Sequence, residues 1–549
     1  MTYPSRRLQP NHKPVDRLYT DRLRQFTDPG GQFRDLNLPA LYDHERFRID
    51  GLKLWRVPDG PNGKTERPLF KDIDWSTVEW EHIDVGYRFG PLWKTFWVKL
   101  HVEIPEKWLE AEAIELEWDS LLEALIYNDK GLPLQAFTGG GDRNYFRFSK
   151  EYVTGKRQTF YIEVACNGMF GNGLDGHPDP NRYFQLKTCD LVLPNLTARR
   201  LYWDFWILGD AAREFPGGHW QKYKALTVCN DIMDAFDPDN KNLVETGRKL
   251  ALSLLGGDVD SESVFSHYLN PDKRVDVIGI GNCHIDTAWE WPFAETKRKI
   301  VRSWTTQLKI CDEYPEFVFV ALQMQQFKWL KQSHPEILRK IKEKFATNQF
   351  LPIGGSWVEN DTNLPNGESL IRQFLVGQRF QFNEFGFYLN IYWLPDTFGY
   401  TLQIPQICQH AGILRFLTQK LSWNNINVFP LSTFNWVGLD GSQVLVHMPP
   451  ANTYTAHAHF GDIVRSESGN KNLGQSSLGL LLYGYGDGGG GPTEEMIEKI
   501  RRCRGLANTS GLVPTVHLGS TVDDFYDQVL ESTDNGDLLP LWNGEMYLE

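Results

Sequence analysis

The chain has 549 residues, 41% hydrophobic and 23% charged, a globular composition too long for one ordinary core, so two or three domains are expected. A formal net charge of -13 argues against nucleic acid or an anionic membrane surface as the partner. No run approaches the ~20 apolar residues that a membrane-spanning helix needs.

In chain order, the opening stretch MTYPSRRLQPNHKPVDRLYTDRLRQF is locally basic but lacks an apolar core, so it reads as no secretory signal. Residues 1–45 are taken as a mobile arm, with docking on a neighbouring subunit as the alternative. Residues 46–219 read as an all-β, sandwich-like domain. Between residues 50 and 205 short aromatic-rich alternating segments such as TFWVKLHVEIP, AIELEWDS, ALIYND and TFYIEVACNG are separated by turn signals such as NDKG and GGGDRN. Residues 220–272 read as a helical linker, from ALTVCNDIMDAFDPDN and NLVETGRKLALSLLGG to PDKR near 271. Residues 273–530 read as an α/β domain, and residues 531–549 begin a further region. In the α/β domain VDVIGI, EFVFVAL, FLPIGG, LNIYWLPD, ILRFLTQK and LGLLLYGYGD are nearly continuous apolar runs, expected of strands buried on both faces. Helical stretches such as PEILRKIKEKFATNQ and GESLIRQFLVGQRFQFNEFG alternate with them, which implies a parallel sheet, open or closed into a barrel. Seven cysteines are scattered singly with no CxxC pair, as suits reduced thiols in an intracellular compartment.

Polar residues gather just past the ends of these apolar runs: His284 and Asp286, Glu359 and Asp361, Asp396, Lys420 and Asp487. In parallel α/β architectures that edge builds the active site. His284 and Asp286, two apart on an extended strand, point to one face and can meet one ion. Imidazole with carboxylate is hydrolytic-zinc chemistry, needing one more protein ligand and an open position. A self-satisfied core pair is the competing reading, and the tripeptide His-Ile-Asp recurs at His82–Asp84 without a buried parallel strand before it. That copy is read as structural or superficial. Asp396, in YWLPDTFGY, fits a metal ligand, a nucleophile or a helix cap. Asp487, in LLYGYGDGGGGPT, precedes glycines that let backbone pass close to a ligand. No Gly-Lys-Ser/Thr follows, so a phosphate-binding loop is rejected. Asp396 and Asp487 together fit the carboxylate pair of a glycosidase.

The series GNCHIDTAWEWPFAET, LPIGGSWVENDTNLPNGESLIRQ, YWLPDTFGYTLQIPQI and YGYGDGGGGPT resembles the class II α-mannosidases of glycoside hydrolase family 38, in their cytosolic and vacuolar branch. FGPLWKTFWVKLHVEIPEKW and LEWDSLLEALIYNDKGLPLQAFTGG are similar to the β-rich domain ahead of the barrel in that branch. The resemblance implies a seven-stranded parallel α/β barrel. It implies a retaining α-mannosidase that removes terminal α-linked mannose from free oligosaccharides or N-glycan-derived glycans. By the same resemblance His284, Asp286 and Asp396 are zinc ligands, a site that also suits cobalt, with Asp396 the nucleophile and Asp487 the general acid/base. Trp289 and Phe398 match aromatic walls for the mannose ring, and Lys420 a position where other branches place an arginine. A cytoplasmic protein, with delivery to the vacuole as the alternative, and a homo-oligomer are implied. The family's fourth ligand is a histidine shortly after a motif that LWNGEMYLE at 541–549 matches, so the chain reads as truncated just before it. His447 and His457 lie near the same sheet edge but match nothing. The rival readings are a zinc-dependent carbohydrate deacetylase and an inactive carbohydrate-binding or cargo protein.

Overall fold

Alternating apolar residues in the first half do form strands, and in the larger sheet both faces are buried. The computed structural model describes residues 15–139, 143–172, 179–236, 242–257, 259–260, 277–510 and 513–549. The strands are β1 (Asp43–Arg48), β2 (Leu52–Arg56), β3 (Glu81–Ile83), β4 (Arg88–Phe89), β5 (Thr95–Val102), β6 (Glu115–Asp119), β7 (Glu123–Asn128), β8 (Pro133–Phe137), β9 (Tyr145–Arg147), β10 (Gln158–Ala165), β11 (Phe184–Gln185) and β12 (Thr188–Pro194). A four-stranded sheet, β1-β12-β6-β9, faces a six-stranded one, β3-β2-β5-β10-β7-β8. Along β5, Phe96, Val98 and Leu100 enter the core between the sheets, while Trp97 joins a second core behind the larger sheet. In β7, Ala124 and Ile126 take the first core, Leu125 and Tyr127 the second. This two-residue period is the pleat itself. The larger sheet is therefore a shared wall, and many of the aromatics line its outer face: Phe70, Trp75, Trp97, Tyr127 and Tyr161 pack ring against ring.

Helices cover that wall. Part of the expected mobile arm is helix α1 (Asp16–Thr27), held because Leu23 and Phe26 are buried, Phe26 with its ring 4.7 Å from that of Phe205. Residues 1–14 and the PDKR stretch lie outside the described residues. Helix α2 (Leu196–Glu214) starts inside the stretch read as β-rich, because Asn195 caps it by accepting from the Ala198 amide at 3.1 Å. The two helices expected downstream are present as α3 (Trp220–Ala235) and α4 (Asn242–Leu255).

The apolar runs of the α/β domain supply β13 (Val277–Asn282), β14 (Phe319–Ala321), β15 (Phe350–Pro352), β16 (Ile391–Leu394), β17 (Arg415–Thr418) and β20 (Gly479–Tyr483), joined by β18 (Thr433–Val437), β19 (Gln443–His447), β21 (Val516–His517) and β22 (Leu541–Asn543). They fall into two open sheets rather than the closed seven-stranded barrel that the resemblance implied. One is β15-β14-β13-β20 with β21 also on β13, all parallel. The other is β16-β17-β19-β18-β22, where β18 runs antiparallel to β19. Two local features leave the ladder open. After β15, Gly354 and Gly355 take positive φ (120° and 75°) and turn the chain aside, leaving the Trp393 N–H to Gly354 carbonyl bond, 3.2 Å, as the link towards β16. Between β19 and β20, Ala456 of the connecting loop pairs with Tyr483, occupying the edge that β19 would need. The parallel strands still direct their C-terminal ends to one region, and the first half docks there through helix α5 (Phe293–Glu313).

Candidate active site

Five strand ends converge. His284 and Asp286 follow β13, Glu359 follows β15, Asp396 follows β16, Lys420 follows β17 and Asp487 follows β20. His284 is 1% exposed. Its Nε2 lies 3.4 Å from Asp286 Oδ1, 3.3 Å from Asp396 Oδ2 and 3.9 Å from Asp487 Oδ1, while its Nδ1 lies 2.9 Å from Glu359 Oε2. One ligand atom from each of His284, Asp286, Asp396 and Asp487 falls within 4.8 Å of the others. The expected triad is thus brought together, with Asp487 as a fourth member.

The donor set fits a divalent cation. Nε2 of His284 is a buried nitrogen without a hydrogen-bond partner among the described residues, and three carboxylates point at the same space. Glu359 on the opposite ring nitrogen is the carboxylate that a metal-binding histidine ordinarily carries behind it, where it fixes tautomer and ring orientation. Burial opposes charge on His284, yet the carboxylate ring, Glu359 foremost, holds its pKa well above the usual imidazole value.

The two aspartates of the expected carboxylate pair differ in surroundings. Burial pushes Asp396 up, but the neighbouring His284 imidazole and its pairing with Lys420 bring it below the usual carboxylate range. Its backbone N–H donates to Glu359 Oε1 at 2.6 Å. For Asp487 burial prevails over the nearby imidazole and raises the pKa. Its Oδ1 accepts from the Tyr454 hydroxyl at 2.9 Å, and it takes a positive φ of 55° that a non-glycine residue rarely adopts.

The glycines around Asp487 have a steric explanation. A Cβ at Gly488 would lie 2.2 Å from the Met169 carbonyl oxygen, in the loop after β10. Lys299 of α5, fully buried, donates to Met169 O at 2.7 Å, to Gly488 O at 3.1 Å and to Glu123 Oε2 at 2.7 Å. Arg143 donates to Gly490 O at 2.8 Å and to Pro492 O at 3.0 Å. The loop bearing Asp487 is therefore clamped onto the β-rich domain.

Trp289 and Phe398, the expected aromatic walls, are 44% and 54% exposed at the mouth. Lys420, the expected substrate-binding cation, is packed inside the cluster. It is 1% exposed, paired with Asp396 Oδ1, and lies over the Trp423 ring at 3.4 Å from its centroid. Asp361 turns its own loop, accepting from the Asn363 and Leu364 amides at 2.6 and 3.0 Å. Two neighbours of this cluster had escaped assignment. Glu359 stood in the strand-end set without a role, and Tyr454 sits in ANTYTAH, a loop with no periodic signal. His82 is exposed on β3, in register with Lys53.

Residues 274–545 match the glycosyl hydrolases family 38 N-terminal domain, and residues 49–192 match the α-mannosidase jelly roll domain. An α-mannosidase of Saccharomyces cerevisiae is 48% identical over 98% of this chain and 51% of its own length. Alpha-mannosidase G of Dictyostelium discoideum is 41% identical over 88% of this chain and 43% of its own, and human alpha-mannosidase 2C1 40% identical over 85% and 43%. The chain spans about half the length of these curated relatives. With the family's N-terminal domain matched over residues 274–545 and an α-mannosidase 48% identical over 98% of its length, the chain belongs to glycosyl hydrolase family 38.

Proposed function

We propose that this chain carries the catalytic centre of a retaining α-mannosidase that removes terminal α-linked mannose from free oligosaccharides or N-glycan-derived glycans. The observation that carries this reading is the approach of Asp396 and Asp487. One carboxylate oxygen of each lies within 4.8 Å of the other, close to the ~5–5.5 Å carboxyl spacing of retaining glycosidases. His284 Nε2, Asp286 and Asp396 would hold the metal, zinc by its ligand types, with cobalt fitting the same set. Bound there, the cation supplies positive charge for gripping sugar hydroxyls and easing ring flattening.

The protein's own groups do the rest. Asp396, kept ionised by Lys420 and oriented by Glu359 on its backbone N–H, attacks the anomeric carbon. As that bond forms, the glycosidic C–O bond breaks and Asp487 passes its proton to the departing oxygen. Water then gives a proton back to Asp487 and its oxygen to the anomeric carbon, releasing Asp396 with retained configuration. Trp289 and Phe398 offer their faces to the C–H side of the mannose ring. A cytoplasmic or vacuolar homo-oligomer accompanies this reading, on the resemblance alone.

A 5-fluoro mannosyl fluoride tests the reaction. Peptide mass spectrometry should find the sugar on Asp396, and Asp396→Ala should lower kcat/KM on the order of 10⁴-fold or more. An unlabelled protein that still releases mannose, or label elsewhere, would overturn the assignment. A deacetylase would turn over acetylated sugars and carry no label.

A further inference from the structure

We propose that a cavity of about 240 Å³, walled by the smaller jelly roll sheet, α2, α5 and the helix Glu494–Ser510, is a second, non-catalytic sugar site that takes one neutral monosaccharide. It stands apart from the reaction proposed above and does not rest on it.

Position is the first argument. Glu115 of β6 and Tyr145 and Arg147 of β9 line the cavity from the face of their sheet opposite Leu116 and Phe146, which enter the core. Arg199 and Tyr202 of α2 and Thr306 of α5 close it from the other sides. Arg143 also lines it while donating to Gly490 O at 2.8 Å and to Pro492 O at 3.0 Å, and Thr493 and Glu494 of the lining continue that backbone. The cavity therefore lies behind the segment that bears Asp487. It shares no lining residue with the cavity of about 120 Å³ at His284, Asp286 and Asp396, so a ligand there touches none of the reacting groups.

Charge is the second. The ionised walls form a chain of pairs. Asp43 and Glu115 meet Arg199 at 3.1 and 2.6 Å, and Glu115 and Glu494 meet Arg147 at 3.2 and 3.1 Å. Glu115, in the middle, is buried. A charged ligand would have to draw one of these ions from its partner and leave the other uncompensated. A neutral polyol needs no such exchange. A guanidinium has more N–H donors, and a carboxylate more lone pairs, than one pairing uses, so the paired groups keep spare ones for hydroxyls.

Shape is the third. The phenols of Tyr145 and Tyr202 line the space, and burial raises the pKa of both, so each keeps a proton to donate. The Arg199 guanidinium lies 4.6 Å from the Tyr145 ring centroid, and Tyr42 stands edge-on to Tyr202 at 5.8 Å, which holds both rings in place before anything binds. Aromatic rings meet the C–H face of a sugar while the ionised groups meet its hydroxyl rim. At about 240 Å³ the space falls below the ~300–1,000 Å³ of drug-sized ligand sites, room for one ring and not for a chain.

Mannose is the probe, read where the metal cluster cannot contribute. In His284→Ala protein, calorimetry should still find one mannose bound. Adding Ile310→Trp, which fills the cavity from α5, should weaken that binding about tenfold or more, and Tyr145→Leu reads the same loss without adding bulk. Loss of mannose binding in His284→Ala alone, or binding that survives Tyr145→Leu unchanged, would overturn the site. Mannose 6-phosphate, an anion, and glucosamine, a cation, should each bind the same protein about tenfold more weakly than mannose, and equal or tighter binding of either overturns the neutral class. Crystals soaked in mannose should show a ring between Tyr145 and Arg147, whereas sugar at the metal cluster alone counts against the proposal. A wild-type protein that released no mannose from any glycoside but kept this binding would sink the reaction and leave the second site standing.

Discussion

The tripeptide His-Ile-Asp occurs twice and does two different things. At His82–Asp84 it lies on an exposed strand, with Lys53 opposite the histidine and, among the described residues, no ion pair to it. At His284–Asp286 the same three residues follow a fully buried strand, and four carboxylates from four strand ends surround the imidazole. A tripeptide of this kind has no chemistry of its own. What distinguishes the copies is how many other chain segments finish at the same place, and a parallel sheet is an arrangement that makes them do so.

The contrast can be attacked at several points. Substituting Lys299→Met removes a cation buried against Glu123, and should cost about 3–5 kcal/mol in urea unfolding while freeing the loop that bears Asp487. A loss below ~1 kcal/mol would show that the clamp on that loop is not built as described. Next in size, His284→Ala should leave protein that retains no stoichiometric metal after dialysis, measured by plasma mass spectrometry, and Glu359→Gln should weaken metal affinity about 10–100-fold. Full metal retention in both would remove the distinction between the two copies.

A third histidine sharpens it in another direction. His447 is also buried, but no carboxylate is paired with it among the described residues. Thr433 Oγ1 lies 3.0 Å from its Nδ1, and burial pushes its pKa down to about 3. Unfolded, it titrates near ~6.5. Above that value both states are neutral. As pH falls from ~6.5 towards 3 only the unfolded state takes the proton, so stability drops by up to about 1.4 kcal/mol per pH unit. His447→Gln should flatten this acid slope in denaturant titrations between pH 6 and 4. The smallest effect belongs to His82→Ala, for which metal content and melting temperature should match the wild type, and a loss of metal would return that copy to the list of ligands.

How much of this was readable in advance follows from the range of the forces involved. His284, Asp286, Asp396 and Asp487 announced themselves because each follows an apolar run, and strand ends are set by local pattern. Glu359 lay in the same set, but its place behind His284 depends on ring orientation, which no spacing encodes. Lys420 was assigned to substrate, yet its burial against Trp423 and Asp396 is a property of the packed site. Tyr454 lies in an irregular loop and reaches Asp487 by tertiary approach alone. Closure of the sheet was misread because the number of strands says nothing about whether two neighbours keep their edges free. Gly354–Gly355 decide that through a backbone turn, and Ala456 by pairing with Tyr483 at the edge of β20.

The buried Lys299 also imposes an order of assembly. Its partners Glu123 and Met169 lie 176 and 130 residues before it in the chain, and Gly488 189 residues after. Domains fold largely as units, the earlier ones first during synthesis. The jelly roll would then be complete, its Glu123 carboxylate and Met169 carbonyl still without the Lys299 ammonium, well before the glycine-rich loop leaves the ribosome. The last-made part of the candidate site is moulded on an earlier-made domain, so a defect in the jelly roll would surface at the Asp487 loop several hundred residues away.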